Sequence, residues 1–185
     1  MLPITFTGIF IKKSPILHND KNGEHKKDVS FVELERNNTK DMDALETIGI
    51  EWGDDSYASM IYENTLTDYS ESMDNIIEHT YILTKQNSNF DNINSGDILG
   101  AALFRENDTI NKIELLQTNP KYIKKNHLDS EYSQTGSSIL KSLKIIHGDK
   151  PIECFAVQEA IPFYEKNGFV HNDKYKNNNS LIWYG

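Results

Sequence analysis

The feature that most constrains the fold is an amphipathic helix held between two strand-like segments. In TGSSILKSLKIIHG, residues 135–148, apolar side chains recur at Ile139, Leu140, Leu143 and Ile146, which is the spacing of one helical face. The segments on either side, TINKIELLQTNP and IECFAV, are rich in strand-forming residues. A strand, a helix and a second strand in this order predict two parallel neighbouring strands joined by a right-handed crossover.

The rest of the chain predicts mainly antiparallel strands. YILTKQ, DILGAALFREN and TINKIELLQTNP are separated by polar turns and predict an antiparallel meander. MLPITFTGIFIKK, VSFVELER and SLIWYG predict further strands, and residues 19–28 predict a polar, hairpin-like loop. We therefore predict a mixed α/β fold with a mostly antiparallel sheet.

Two helices are predicted between the second strand and the meander. Apolar residues recur at helical spacing in NNTKDMDALETIGIEWG, which predicts a helix with its N-cap at Asn38 or Thr39 and its end near Gly53. The acidic segment GDDSYASM predicts a loop, and a weaker helical segment is predicted to end within residues 72–80. The final helix is predicted within AIPFYEKNGF, residues 160–169.

Length and composition predict a single globular domain. The 185 residues are 37% hydrophobic and 25% charged, which is typical of soluble globular proteins. We assign residues 1–185 to one domain, with residues 1–27 as an added N-terminal strand and loop. No apolar stretch approaches the roughly 20 residues of a membrane span, so we expect a cytoplasmic protein.

The charge and the cysteine and histidine content limit the partners and cofactors. Asp and Glu total 28 against 19 Lys and Arg, a net charge of -9 that repels nucleic acids and attracts cationic substrates such as amines. The single cysteine, Cys154, excludes an intrachain disulfide and a thiolate zinc cluster, and its strand position favours a buried core thiol over a nucleophile. The six histidines have no metal-ligand spacing, so no metal site is expected.

The start of the predicted crossover helix has two interpretations. In EYSQTGSSIL, residues 131–140, a polar loop, one glycine and two serines precede the apolar stripe. The backbone N–H groups of residues 135–138 would converge there, and the helix dipole would favour a phosphate. The alternative is simple helix capping by small polar residues.

Three segments resemble the GNAT superfamily of acyl-CoA-dependent N-acyltransferases. AIPFYEKNGF resembles the family's Ala-x-x-Phe-Tyr-Glu-Lys-x-Gly-Phe segment, IELLQTNP its fourth strand, and QTGSSIL its pyrophosphate loop and helix. The resemblance covers roughly residues 29–185. It implies the GNAT fold, a twisted mixed sheet with a splayed parallel pair and helices on both faces.

The resemblance also implies an activity. The protein would transfer an acetyl group from acetyl-CoA to a primary amine of a small molecule or peptide by direct attack, without a metal. A monomer and a homodimer both stay open. A GNAT-fold binding or regulatory protein with weak or no CoA binding is the alternative, because Glu131 and Gln134 stand where the family's signature has Arg or Gln and its first glycine. A third possibility is acyl transfer to charged tRNA. The net negative charge of the protein disfavours it, and only the basic patch of Lys121, Lys124 and Lys125 supports it.

The resemblance assigns the site residues by role. Tyr164 would be the general acid, since a tyrosine of pKa about 10 keeps its proton at neutral pH and can donate it to a leaving thiolate; otherwise it is a half-exposed aromatic residue. Glu114 is either the general base or an outward-facing strand residue. Asp54 and Asp55 either bind a cationic substrate or form a solvated acidic turn. A backbone N–H near Leu115 or Leu116 would bind the oxyanion. The predicted cofactor-binding residues are Leu115, Leu116, Gln117, Gln134, Thr135, Gly136, Ser137 and Ser138.

Overall fold

The computed structural model describes residues 8–20, 23–53, 56–67, 76–123, 131–175 and 179–185. These residues form a mixed sheet with helices packed on both faces. The strands are β1 (Ile9–Asp20), β2 (Gly23–Leu34), β3 (Ile77–Thr84), β4 (Ile98–Glu106), β5 (Asn111–Thr118), β6 (Tyr132–Ser133), β7 (Ile152–Phe155), β8 (Val170–His171) and β9 (Ser180–Trp183). The helices are α1 (Thr39–Glu51), α2 (Tyr57–Leu66), α3 (Thr135–His147) and α4 (Ile161–Lys166).

The sheet has the predicted mixed topology. Its strand order is β6–β1–β2–β3–β4–β5–β7–β9–β8, and β5 with β7 is the parallel pair among otherwise antiparallel neighbours of the described strands. Strands β3, β4 and β5 form the antiparallel meander, and α3 connects the two parallel strands. The predicted fold class is therefore confirmed.

Two cores form because apolar side chains of the central strands alternate between the two sheet faces. Helices α1 and α2 cover one face, where Leu45 and Ile61 pack against Ile82 and Leu103. Helices α3 and α4 cover the other, where Leu140 joins a second cluster. No helix in the described ranges has the length and apolar character needed to cross a membrane.

Helix α1 follows its sequence signals closely. The side chain of Asn38 caps its N-terminus by accepting hydrogen bonds from the backbone N–H groups of Lys40 and Asp41. The helix ends at Glu51, close to the predicted end at Gly53. Its predicted apolar face is buried and comprises Met42, Leu45 and Ile48.

Three local predictions were wrong. Most of the predicted loop at residues 19–28 is strand, since β1 and β2 pair from Ile9–Glu33 to Asp20–Gly23. This end of the hairpin is largely exposed, so its strands carry no apolar alternation that would reveal them. Helix α2 begins inside the predicted loop GDDSYASM, where Ser56 caps it. The strand β3, not a helix, includes residues 77–80, because they pair with β4.

A buried carboxylate, Asp41, ties the segment before β1 to α1. Its Oδ2 atom accepts hydrogen bonds from the backbone N–H groups of Gly8, at 3.0 Å, and Glu35, at 2.9 Å. Its Oδ1 atom is buried and has no hydrogen-bond partner in the described ranges. Burial raises the pKa of Asp41, and the two hydrogen bonds from backbone N–H groups oppose this shift.

We expect Asp41→Ala to lower the free energy of unfolding by about 2 kcal/mol or more, because two buried N–H groups lose their acceptor. Asp41→Asn keeps an acceptor oxygen and removes the buried charge, so it should cost much less at neutral pH. Since the folded-state pKa lies above the unfolded value, wild type should gain stability relative to the Asn variant as the pH falls through the folded-state pKa towards the unfolded one. Urea unfolding of the three proteins across this pH range measures both effects. Equal stability of the Ala variant and wild type would contradict the role of Asp41.

Candidate functional site

The parallel strands β5 and β7 separate after a short paired stretch. Their register runs only from Asn111–Ile152 to Ile113–Cys154, whereas β5 continues to Thr118 along β4. The β5 residue Glu114 is an extra residue in the β4–β5 ladder, because Phe104 pairs with Ile113 and Leu103 with Leu115. From Leu115 onward, the edge of β5 that faces β7 therefore has no strand partner among the described residues.

The start of α3 has several polar groups that the fold does not use. Gln134 precedes the helix in the left-handed conformation, with φ of 63°, and its side chain makes no capping hydrogen bond. The first intrahelical bond runs from the N–H of Ser138 to the carbonyl of Gln134, at 2.9 Å. The N–H groups of Thr135, Gly136 and Ser137 thus have no partner in the described ranges, and neither does the buried Oγ1 of Thr135. Such a helix start, at the positive end of the helix dipole, suits an anionic group.

The start of α3, the end of β5 and helix α4 meet at Gly136. A Cβ atom on Gly136 would lie 3.0 Å from Cζ of Phe163 on α4 and 3.4 Å from Cγ2 of Thr118 on β5. A side chain at position 136 would therefore require the Phe163 ring to shift by a few tenths of an ångström. The predicted cofactor loop and the predicted catalytic helix are thus in direct contact.

Tyr164 is buried, which the half-exposed alternative did not anticipate. Its side chain is 7% exposed, and its ring makes edge contacts with the rings of Phe163 and Phe169. Its hydroxyl group makes no hydrogen bond within the described part of the chain. Burial raises the pKa of Tyr164, and the nearby Cys154 and Tyr57 raise it further. The phenol therefore keeps its proton throughout the neutral range and can act as a proton donor.

Cys154 is a core residue in the structure. Its side chain is buried in the cluster under α3, and burial followed by the charge of Glu153 raises the pKa of the thiol to about 12. A thiol with so high a pKa is a poor nucleophile. The structure thus supports the core interpretation of Cys154.

Glu114 is engaged in ion pairs. Its carboxylate lies 2.9 Å from Nη1 of Arg105 and 2.7 Å from Nζ of Lys112, and Arg105 also binds Glu78. By strand alternation from Leu103, Arg105 lies on the sheet face of α1 and α2, whereas Tyr164 packs on the opposite face. These contacts favour the strand-residue interpretation of Glu114 over the general base.

Several predicted cofactor-binding side chains serve the fold instead. The amide oxygen of Gln117 accepts a hydrogen bond from the backbone N–H of Ala58 at the start of α2, at 2.7 Å. The hydroxyl group of Ser138 donates to the carbonyl of Pro15 on β1. Leu115 and Leu116 pack on opposite sheet faces, so only their backbone is available at the open edge. These contacts leave residues 134–137 as the polar part of the predicted cofactor site.

The remaining site predictions fall partly outside the described residues. Asp54 and Asp55 lie outside them, and so do Lys124 and Lys125 of the basic patch. Lys121 is described and exposed. Sequence analysis did not anticipate the bulge at Glu114, the left-handed Gln134 or the unpartnered Oγ1 of Thr135.

The chain has structural similarity to solved proteins but no detected sequence similarity to a known family. No protein-family model matches the chain, and no curated protein sequence matches it. Among solved structures, the chain is similar to the PaiA N-acetyltransferase from Thermoplasma acidophilum, crystallised in complex with coenzyme A. The two share 13% sequence identity with a TM-score of 0.45, over 83% of this chain and 96% of that chain. A similarity at this level assigns no activity to the present chain.

Proposed function

We propose that this protein is an acetyl-CoA-dependent N-acetyltransferase that acts on a primary amine by direct attack. The proposal rests on the resemblance of three segments to the GNAT superfamily and on one junction in the fold. At that junction lie the open edge of β5, the unpartnered N–H groups at the start of α3, and the contact between Gly136 and α4. In this proposal, the start of α3 binds CoA and the open edge of β5 polarises the thioester carbonyl.

The start of α3 is the proposed cofactor site. The N–H groups of Thr135, Gly136 and Ser137 would donate hydrogen bonds to the pyrophosphate of CoA, and the helix dipole would add to the attraction. The buried, unpartnered Oγ1 of Thr135 fits a bound polar group, because a buried hydroxyl without a partner costs free energy.

Direct transfer divides the chemistry among few groups. The amine nitrogen attacks the thioester carbonyl carbon, and a backbone N–H of β5 near Leu115 or Leu116 stabilises the oxyanion. The carbon–sulfur bond then breaks, and the Tyr164 hydroxyl donates its proton to the leaving thiolate. A base or a water molecule takes the proton from the amine, and the ion pairs of Glu114 make that residue a poor choice for this role.

The alternative is a CoA-independent binding or regulatory protein with the same fold. The observation that favours it is the carboxylate of Glu131, which is half-exposed three residues before Gln134 and would repel a pyrophosphate. Calorimetric titration with acetyl-CoA and, separately, with free CoA distinguishes the two functions. Micromolar binding of both ligands, followed by thiol release in the presence of a primary amine, is the expected result. No binding up to millimolar concentrations would overturn the proposal in favour of the alternative.

A further inference from the structure

The end of the β1–β2 hairpin brings two histidines together. They are seven residues apart in the sequence, which is not a usual spacing for metal ligands. His18 on β1 and His25 on β2 are directly opposed in the antiparallel register, so their side chains lie on one face of the hairpin. Nδ1 of His18 lies 3.3 Å from Nε2 of His25. The spacing of the histidines in the sequence predicts no metal site, and it is the pairing of the strands that makes these two rings neighbours.

The second nitrogen of each ring faces an oxygen acceptor. Nε2 of His18 lies 3.7 Å from a carboxylate oxygen of Glu131, and Nδ1 of His25 lies 3.4 Å from the carbonyl oxygen of Gly23. Each outer nitrogen thus has an oxygen atom in front of it when it carries the ring proton. The two inner nitrogens lie at hydrogen-bonding distance from each other, so either a proton or a metal ion between them satisfies both lone pairs.

The carboxylate of Asp20 lies beside the two imidazoles and provides a third possible metal ligand. One ligand atom from each of His18, Asp20 and His25 lies within 4.8 Å of the others. A tetrahedral zinc site with zinc–nitrogen bonds of about 2.0 Å places its ligand atoms roughly 3.3 Å apart, which matches the spacing of the two imidazole nitrogens. We propose that His18, Asp20 and His25 bind a divalent transition metal of the Zn²⁺ class. Two imidazoles and one carboxylate suit such an ion, and a fourth position would be open to water.

The proposed metal site lies against the strand that leads to α3. His18 pairs with Tyr132 on β6, and the backbone N–H of Asn19 donates to the carbonyl of Glu131, at 2.8 Å. Glu131, which faces the outer nitrogen of His18, stands three residues before Gln134 at the start of the helix. A bound ion would therefore hold the hairpin in the arrangement that supports β6. This inference does not depend on the proposed acyl transfer.

The test uses the full chain without an affinity tag, stripped of metal with a chelator that is then removed. Calorimetric titration with Zn²⁺ should give one saturable site with micromolar or tighter affinity, and Co²⁺ should give the absorption bands of a tetrahedral complex. His25→Asn should weaken binding by about tenfold or more, because ligand groups and their supports determine affinity on this scale. His171→Asn is the matched control, since His171 is an exposed histidine on β8.

Metal binding should also raise the melting temperature of wild type and of the His171 variant, and raise that of the His25 variant much less. The shift does not depend on catalysis. Absence of a saturable site in wild type would overturn the proposal. So would equal affinities of wild type and His25→Asn, because the ion would then be held elsewhere.

Discussion

Replacing Tyr164 with phenylalanine should lower the turnover number by about tenfold to a thousandfold, the range expected for loss of a proton donor. The edge contacts of the ring with Phe163 and Phe169 do not involve the hydroxyl group, so the free energy of unfolding should change little. Initial rates at saturating amine measure the first effect and urea unfolding measures the second. Tyr184→Phe, at an exposed tyrosine near the C-terminus, is the matched control and should keep wild-type turnover.

The pH dependence sharpens this test. Burial holds the pKa of Tyr164 above its ordinary value of about 10, so the phenol stays protonated at mildly alkaline pH. The ratio of wild-type to Tyr164→Phe turnover should therefore stay constant from about pH 7 to about pH 9. Unchanged turnover in the variant would remove Tyr164 from the mechanism. A ratio that collapses within this range would mean that the phenol ionises too early to act as the acid.

Ser137→Asp should weaken acetyl-CoA binding by about tenfold to a hundredfold while leaving the fold intact or slightly more stable. Helix α3 has no acidic residue in its first turn, and a carboxylate there interacts favourably with the helix dipole, by about 0.3–1 kcal/mol. The same carboxylate would repel a pyrophosphate bound to the N–H groups of residues 135–137. Two unit charges about 5 Å apart repel by about 3 kcal/mol at an effective dielectric constant near 20, and solvent screening reduces this value.

Ser137→Asp should weaken acetyl-CoA binding without lowering stability, so a loss of affinity in this variant cannot be explained by unfolding. Ser137→Asn is the control, because it has nearly the same shape without the charge and should retain most of the affinity. Calorimetry measures the dissociation constants, and thermal unfolding measures the stability of each variant. If Ser137→Asp binds acetyl-CoA as tightly as wild type does, the start of α3 is not the pyrophosphate site.

Sequence patterns predicted the elements that are stabilised by residues close together in the chain. The apolar stripe of α3 and the Asn38 cap of α1 depend on residues three or four positions apart, so the sequence contains the whole signal. The meander was predictable because polar turns separate its strongly apolar strands. The outer half of the β1–β2 hairpin was not, because exposed strands need no apolar alternation and pairing alone holds them in register.

The candidate site depends more on long-range contacts, and the sequence predicts it less completely. Gln117 and Ser138 were predicted at the cofactor, but their side chains bind Ala58 and Pro15, which are 59 and 123 residues away in the chain. The bulge at Glu114 arises from the register with β4, which no pattern within β5 reveals. By contrast, the roles of Tyr164 and of residues 134–137 were proposed from contiguous motifs, and these remain the sharpest proposals to test.

The contact of Gly136 with Phe163 limits how this protein can be altered by evolution or by design. Because a Cβ atom at position 136 would press on the ring, a larger residue there is tolerated most easily together with a smaller residue at position 163. The two positions thus form one steric unit, although they lie in different helices and 27 residues apart in the sequence. A library that varies the loop before α3 should therefore randomise position 163 as well. Otherwise it would discard loop sequences that fail only because they displace α4.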